Sequence, residues 1–289
     1  MAKKIQEYIT YLSPNFIYVP FDNMELLRIK KSKNVYHNMS LGSTSDGKQL
    51  YSPVSGSIVG IKEMEYNGGK FNSLVIENDF IDKKEKLNPL KNVGKLKKSE
   101  IIESLTKYGL NRNVNSKTTL VVNSLYDKKY DLKDMVINHE SYEEILEAID
   151  EFMSVFNMKN CYICIDKNDL YSLNAYEKYI NAFLNICIVH SNRKFKDNKC
   201  AFYGIEEILA IHKAICLDYM YDNTIVTINS NNEPTIVKVK LYTSLYELLK
   251  ALKISFSGKQ VYVNNKLVNN VLDFVLDSSC RSIVIKGNK

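Results

Sequence analysis

Between residues 99 and 220 the sequence alternates short, nearly continuous apolar runs with longer segments of helical period. The runs Thr118–Val122, Cys161–Ile165 and Ile186–His190 are typical of strands buried on both faces. The segment that follows Ser141 places its apolar residues on one side of a helix. Parallel strands need crossover connections, which are usually helices. This alternation therefore predicts a three-layer parallel α/β domain.

The regions on either side have other patterns. From 16 to 80, short apolar runs and glycine turns without a helical period favour a small β sandwich or barrel. The charged segment 81–98 is interpreted as a linker. Near the C-terminus a predicted hairpin, Ile225–Asn229 with Ile236–Leu241, precedes a helix and two strands, which is the β-grasp order. We therefore predict an α/β multidomain protein with domains at 1–82, 99–221 and 222–289.

Serines stand where three of the helices are expected to begin. Ser99 can cap the helix that ends near Lys107. Ser141 and Ser244 each precede a glutamate by three residues, which predicts a capping box. Two further helices are predicted at 172–184 and from Ile205 to Cys216.

The charge is positive but does not indicate nucleic-acid binding. The net charge is +6, yet only Arg28, Arg112, Arg193 and Arg281 are arginines. Base recognition favours arginine forks and clustered charge, so we do not expect a nucleic-acid partner. The one dense run, seven lysines between Lys83 and Lys98, is interpreted as a solvated linker, with a docking patch for an acidic partner as the alternative.

No segment resembles a signal peptide or a membrane span. The N-terminus lacks an apolar stretch, and no apolar run approaches the ~20 residues that cross a bilayer. We expect a cytoplasmic protein that reaches a membrane only through partners.

The cysteines predict no metal site and no disulfide, and the C-x-x-C pair is expected to be two core thiols. Cys161 and Cys164 form a C-x-x-C pattern within an expected strand, where residues three apart point to opposite faces. No tetracysteine run suits an iron–sulfur cluster or zinc. The histidines lie far apart, and we expect none of them to have a cysteine or carboxylate at ligand spacing; they are His37, His139, His190 and His212.

Three stretches, in this order, resemble the C subunit of the Rnf electron-transport complex and, at greater distance, the flavin subunit of respiratory complex I. They are 51–61 with 74–79, 101–156, and 224–228 with 241–249. The resemblance implies a lipoyl-like β sandwich (a barrel-sandwich hybrid), a central Rossmann-like flavin-domain region, and a C-terminal β-grasp module of the SLBB type.

In that family the α/β domain binds flavin mononucleotide (FMN) and often contacts NADH. Of the family's glycine-rich loop this sequence keeps only Gly109, for which a helix C-cap is the alternative role. Asn123 and Tyr130 match the next family signature, but Tyr126 and Lys128 replace its two glutamates. The resemblance thus implies the remnant of a flavin pocket at Gly109, Arg112, Asn123, Lys128 and Tyr130.

Two other family features are missing from this sequence. The Pro-x-Gly-Gly-Glu turn is not found after His190, and the two tetracysteine motifs do not occur. His190 itself ends a strand at the carboxyl edge of the predicted sheet, where α/β folds place ligands, and is a further candidate.

Three functions remain open. The first is an electron-transfer-related scaffold or docking component for protein redox partners, without iron–sulfur clusters and with an eroded flavin and NADH pocket, so that no cofactor is expected. The second is a working FMN-binding electron-transfer flavoprotein. The third is a lysine-rich binding module for an acidic partner. The sequence leaves open whether the chain is an enzyme.

Overall fold

The computed structural model describes residues 8–21, 25–26, 34–88, 97–114, 116–125, 131–190, 198–230 and 234–287. They fall into two units. The α/β unit comprises the described residues of Leu87–Lys128 and Lys133–Tyr221. The β unit comprises those of Gln6–Lys86, Lys129–Leu132 and Asp222–Lys289. Among these residues no helix is long and apolar enough to span a membrane.

The elements are numbered in chain order. The strands are β1 Ile9–Tyr11, β2 Phe16–Pro20, β3 Glu25–Leu26, β4 Asn34–Val35, β5 Ser40–Ser43, β6 Gln49–Tyr51, β7 Gly56–Tyr66, β8 Gly69–Asn78, β9 Thr119–Ser124, β10 Asn160–Ile165, β11 Ile186–His190, β12 Cys200–Gly204, β13 Asn223–Asn229, β14 Pro234–Lys240, β15 Lys259–Val263, β16 Lys266–Leu267 and β17 Ser282–Gly287. The helices are α1 Lys98–Lys107, α2 Lys133–Glu140, α3 Tyr142–Phe156, α4 Leu170–Glu177, α5 Ile205–Leu217 and α6 Leu245–Ala251, with a 3₁₀ turn at Ile180–Ala182.

The α/β unit contains the predicted parallel sheet. Its four strands lie in the order β11-β10-β9-β12, and all three neighbouring pairs are parallel. From β9 the chain moves outward through β10 to β11, and it then returns to place β12 on the other side of β9. The direction of the strand order therefore reverses between β9 and β12.

The expected third layer is not found among the described residues. Helices α1 to α5 contact one another. The strand residues that α2 and α3 contact lie on one face of the sheet. The ring of Phe152 on α3 packs edge-on against that of Tyr203 on β12, with the ring centres 5.0 Å apart. The Asn138 side chain on α2 donates a hydrogen bond to Ser124 on β9. Val121, Cys164 and Cys200 form a separate apolar cluster on the opposite face. The return connection from β11 to β12, which would carry a helix to that face, contains no described helix.

The C-x-x-C segment is a buried strand, as predicted. Cys161 and Cys164 are fully buried in β10 and point to opposite faces of the sheet. Burial raises the pKa of the Cys164 thiol to about 11, so this thiol is protonated at neutral pH. Both cysteines are free thiols within the core.

The C-terminal part of the β unit is a six-stranded sheet, β1-β14-β13-β17-β15-β16. The predicted hairpin is β13 with β14, and β13 also pairs in parallel with β17 at the centre. Leu245, Leu248 and Leu249 of α6 pack into the core of this sheet. Strand β1, which the sequence pattern did not predict, adds to the sheet in parallel with β14.

The N-terminal part of the β unit has two sheets, β2-β8-β7-β4 and β3-β5-β6. They share one apolar core, to which Ile17 and Ile76 contribute from the first sheet and Leu41 and Leu50 from the second. Strands are observed in the β region expected from 16 to 80, and β7 and β8 form one extended hairpin there. The division into domains at 82 and 222 stays a prediction.

The predicted caps are only partly correct. Helix α1 begins at Lys98, so Ser99 lies inside its first turn and Lys97 is the N-cap. Ser141 and Ser244 are N-cap residues, but neither side chain makes a capping hydrogen bond. The predicted helix at 172–184 is shorter, because α4 ends at Glu177.

Candidate functional site

The candidate site lies at the carboxyl edge of the parallel sheet, between β9 and β12. Ligands of open α/β sheets bind where the strand order reverses, outside the carboxyl ends of the strands. Asn123, near the end of β9, lies directly opposite Gly204, the last residue of β12. Helix α5 begins at the next residue, so its N-terminus reaches this edge without an intervening loop.

An internal carboxylate caps the N-terminus of α5. Glu207 Oε2 accepts the backbone N–H of Gly204 at 2.8 Å. The φ of Gly204 is −79°, and an added Cβ would meet Glu207 Oε2 at an ordinary 3.6 Å. The turn therefore does not require glycine. Helix N-termini attract anions, and here the anion is a side chain of the same helix.

Arg112 joins the segment after α1 to this edge. Its guanidinium donates to the Phe202 carbonyl at 3.1 Å and forms an ion pair with Glu207. It also lies over the ring of Tyr203, 4.9 Å from the ring centre. Burial raises the pKa of Tyr203 to about 12, although Arg112 acts in the opposite direction. The charge of Arg112 is thus offset by a carboxylate at the same edge.

A second ion pair lies in the first turn of α5. Lys133, at the start of α2, is only 1% exposed and its Nζ lies 2.5 Å from Glu206 Oε2. Removing Glu206 would take a compensating charge away from the buried Lys133 ammonium. Among the described residues, this edge thus has two ion pairs, Arg112 with Glu207 and Lys133 with Glu206, an arrangement that suits a neutral ligand better than a dianion.

Beneath the edge, on the face covered by helices, three side chains form a buried chain of hydrogen bonds. The Tyr176 hydroxyl donates to Asn138 Oδ1 at 2.8 Å, and Asn138 Nδ2 donates to Ser124 Oγ at 2.5 Å. Burial raises the pKa of Tyr176 well above its ordinary value, which keeps the phenol protonated as a donor. The chain fixes α2 and α4 against the end of β9.

Gly109, one of the predicted site residues, ends helix α1. Its φ is +68°, its N–H donates to the Thr106 carbonyl, and the N–H of Leu110 donates to the Leu105 carbonyl. These two bonds and the positive φ define a Schellman motif with glycine at C′. The conformation accounts for Gly109 as a helix terminator.

Of the other predicted residues, the structure brings Arg112 and Asn123 to the same edge. The Asn123 side-chain oxygen is buried, and within the described part of the chain it has no hydrogen-bond partner. Buried polar atoms are usually paired, so this oxygen can accept from a bound N–H or O–H group. Lys128 and Tyr130 lie outside the described residues. His190 ends β11, which β10 separates from β9.

Sequence reasoning missed Lys133, Asn138, Tyr176, Glu206 and Glu207. A signal existed for the glutamates, because Tyr203-Gly204-Ile205-Glu206-Glu207 places two acids immediately after an apolar run, as in the first turn of a helix. The other three come from helices whose packing cannot be inferred from their own sequence.

The comparisons with known proteins give a similarity of fold. No protein-family model matches the chain, and no curated protein matches it. One chain of the crystal structure of an NAD⁺-reducing [NiFe]-hydrogenase in the H₂-reduced state is similar over 69% of this chain and 49% of its own, with a TM-score of 0.52 and 10% identity. The air-oxidized state of such a hydrogenase gives a TM-score of 0.48 at 10% identity, over 68% of this chain and 45% of its own. This chain thus spans about half the length of the structures it resembles.

Proposed function

We propose that this protein is a scaffold or docking component of an electron-transfer complex, related to the C subunit of the Rnf complex, that binds protein redox partners and holds no flavin. The order of the three regions that resemble that family supports the assignment. The similarity of fold to a chain of an NAD⁺-reducing hydrogenase supports it as well.

The topology of the flanking regions also supports this relationship. Helix α6 connects the hairpin β13–β14 to the later strands, and the first and last strands pair in parallel at the centre. This is the connectivity of a β-grasp fold, and it favours an SLBB-like module at 222–289. The shared core of the two N-terminal sheets favours a lipoyl-like sandwich at 1–82.

The acidic N-terminus of α5 is the observation that carries the proposed lack of flavin. FMN has a dianionic phosphate, which needs free amide donors or cations. The carboxylates of Glu206 and Glu207 stand in the first turn of α5, and each already takes one cation, Lys133 and Arg112 respectively. The described residues at this edge therefore do not fit a flavin phosphate.

An FMN-binding flavoprotein is the second candidate. The Asn123 side-chain oxygen at the strand-order reversal has no hydrogen-bond partner among the described residues, and this favours a flavoprotein, because the oxygen could accept from the N–H of an isoalloxazine ring. Lys128 and Lys129 could supply charge for the phosphate, and both lie outside the described residues. The lysine-rich binding module remains a third hypothesis, and most of its lysine run also lies outside them.

A calorimetric titration of the purified protein with FMN distinguishes the scaffold from the flavoprotein. We expect a dissociation constant above about 10 µM, equivalent to about −7 kcal/mol or weaker, and a colourless preparation. Submicromolar binding, or a yellow protein with nearly one flavin per chain, would establish the flavoprotein instead.

The Glu207→Gln variant tests whether the carboxylates at the N-terminus of α5 are what excludes the FMN phosphate. Glutamine can still accept the Gly204 N–H, but it no longer neutralises Arg112, so FMN should bind about 5-fold more tightly, as expected for about 1 kcal/mol. Glu103→Gln removes the same charge from an exposed position on α1 and should leave the affinity unchanged. Equal affinities in the two variants would show that the acidic edge is not what excludes the phosphate.

A further inference from the structure

Helices α3 and α5 bring together three side chains that the proposed function does not use. His212 and Cys216 lie one turn apart on α5, and Glu151 faces them from α3. Cys216 Sγ lies 3.6 Å from His212 Nδ1, and 3.4 and 3.2 Å from the two carboxylate oxygens of Glu151. One donor atom from each residue lies within 4.8 Å of the other two, and all three side chains are partly buried.

These separations are close to those of a tetrahedral zinc site. Bonds of about 2.3 Å to sulfur and about 2.0 Å to nitrogen or oxygen, at tetrahedral angles, place the ligand atoms roughly 3.3 to 3.6 Å apart. The sulfur–nitrogen separation already has that value, and the sulfur–oxygen separations are within a few tenths of an ångström of it. The ligand nitrogen of His212 and the ligand oxygen of Glu151, which complete the group, lie within 4.8 Å of each other.

We propose that Glu151, His212 and Cys216 form a Zn²⁺ site with a fourth position open to water. A thiolate, an imidazole and a carboxylate are the ligand types that Zn²⁺ takes in proteins. The thiolate and the carboxylate together neutralise the charge of the ion. Glu147, exposed one turn before Glu151, adds negative potential to both Glu151 and Cys216.

Without a metal, the Cys216 thiol donates a hydrogen bond to Glu151. Burial, followed by the nearby Glu151, raises the pKa of Cys216 to about 12, so the thiol is protonated and donates to that carboxylate. Zinc replaces this proton, which leaves to solvent, and the thiolate and carboxylate both become ligands.

The expectation that no histidine has a cysteine or carboxylate at ligand spacing is wrong for His212. A spacing of four residues on a helix places two side chains on the same face, and metal-binding helices use it. The third residue, Glu151, is 65 residues from Cys216 along the chain. Only the packing of α3 on α5 shows that it belongs to the group.

Binding of Zn²⁺ and Co²⁺ to the metal-free full-length protein tests the proposal. We expect one Zn²⁺ per chain by equilibrium dialysis and metal analysis, with a dissociation constant below about 10 µM. Co²⁺ should give a thiolate-to-metal charge-transfer band and the visible bands of tetrahedral coordination. Weaker zinc binding, or cobalt bound without the charge-transfer band, would overturn the proposal, and neither result depends on a variant.

Variants then assign the ligands. Cys216→Ser should weaken Zn²⁺ binding by at least about 100-fold, because loss of a direct ligand should exceed the 10- to 100-fold cost of outer-shell changes, and His212→Asn should do the same. Cys187→Ser removes an exposed thiol of the same unit and should leave binding unchanged. Circular dichroism checks that each variant is folded. Undiminished binding in folded Cys216→Ser, or its loss in Cys187→Ser, would contradict the assignment.

Discussion

At the scale of single residues, the β unit contains a buried histidine between two carboxylates. His37 is 2% exposed, its Nδ1 lies 2.5 Å from Asp82 and its Nε2 lies 2.7 Å from Asp222. Lys240 also contacts Asp222, at 2.8 Å. Carboxylates only accept, so both ring nitrogens are satisfied when both donate. Burial alone would raise the pKa of Asp222, but His37 and Lys240 outweigh it and hold that pKa well below its usual range.

We predict that Asp222→Asn destabilises the protein by about 3 kcal/mol at pH 7, because it leaves His37 and Lys240 without their buried partner. The folded-state pKa of Asp222 is below its ordinary value of 3.8. Its stabilisation is therefore fully present above pH 3.8 and is lost as the pH falls through the lowered pKa. Urea unfolding measured between pH 7 and pH 2 should show that the difference in the free energy of unfolding between wild type and variant becomes smaller at the acidic end.

The control for this variant is Glu77→Gln, at an exposed carboxylate of β8 in the same unit. It should change the free energy of unfolding by less than about 0.5 kcal/mol. If the difference in the free energy of unfolding between wild type and Asp222→Asn stayed constant down to pH 2, the Asp222 charge would not stabilise its contacts with His37 and Lys240.

At the scale of elements, the long hairpin of β7 and β8 depends on one glycine. An added Cβ on Gly56 would lie 1.9 Å from the backbone oxygen of Glu77 on β8. Gly60, four residues further along β7, has nothing within 4 Å of an added Cβ, and it follows an irregularity in the pairing. The glycine in the Pro53-Val-Ser-Gly56 turn is thus explained by a close approach of two backbones.

We predict that Gly56→Ala destabilises the β unit by about 3 kcal/mol, at the upper end of the cost of overpacking, because a backbone oxygen cannot rotate away. Gly60→Ala is the matched control and should change stability by less than about 0.5 kcal/mol. Chemical denaturation of the two variants gives the comparison. Similar values for both would contradict the close approach at Gly56.

At the scale of the whole molecule, the structure has two units, with the parallel sheet in one and the remaining sheets in the other. The six cysteines are distributed over both units, five in the α/β unit and Cys280 in the β unit. Within the α/β unit, Cys161 and Cys164 are core residues on opposite faces of one strand. This distribution does not resemble the four convergent thiolates of an iron–sulfur cluster.

We therefore predict that protein prepared without oxygen contains no stoichiometric iron. Metal analysis should measure iron and zinc in the same sample, since zinc is expected at Glu151, His212 and Cys216 and iron is not. Close to four iron atoms per chain would contradict the prediction. A zinc content that differs between preparations, with iron near zero in each, would agree with the prediction.

The sequence by itself determined the features that depend on local periodicity. An apolar run of five or six residues is buried wherever it pairs, so the parallel strands and the buried C-x-x-C strand could be predicted from composition and spacing. The hairpin β13–β14 followed in the same way from two alternating runs around a turn. Gly109 could be assigned as a helix C-cap because a glycine after a helical segment favours the left-handed conformation.

Only the tertiary structure decided which distant side chains meet. The pairing of Arg112 with Glu207, of Lys133 with Glu206, and of Glu151 with the two ligands on α5 depends on how helices pack against the sheet. The strand–helix alternation had predicted three layers, and the one layer of helices found among the described residues likewise depends on how these helices pack against the sheet. Periodicity shows which face of an element is buried, but not which element covers it, and the candidate sites of this protein lie where elements meet.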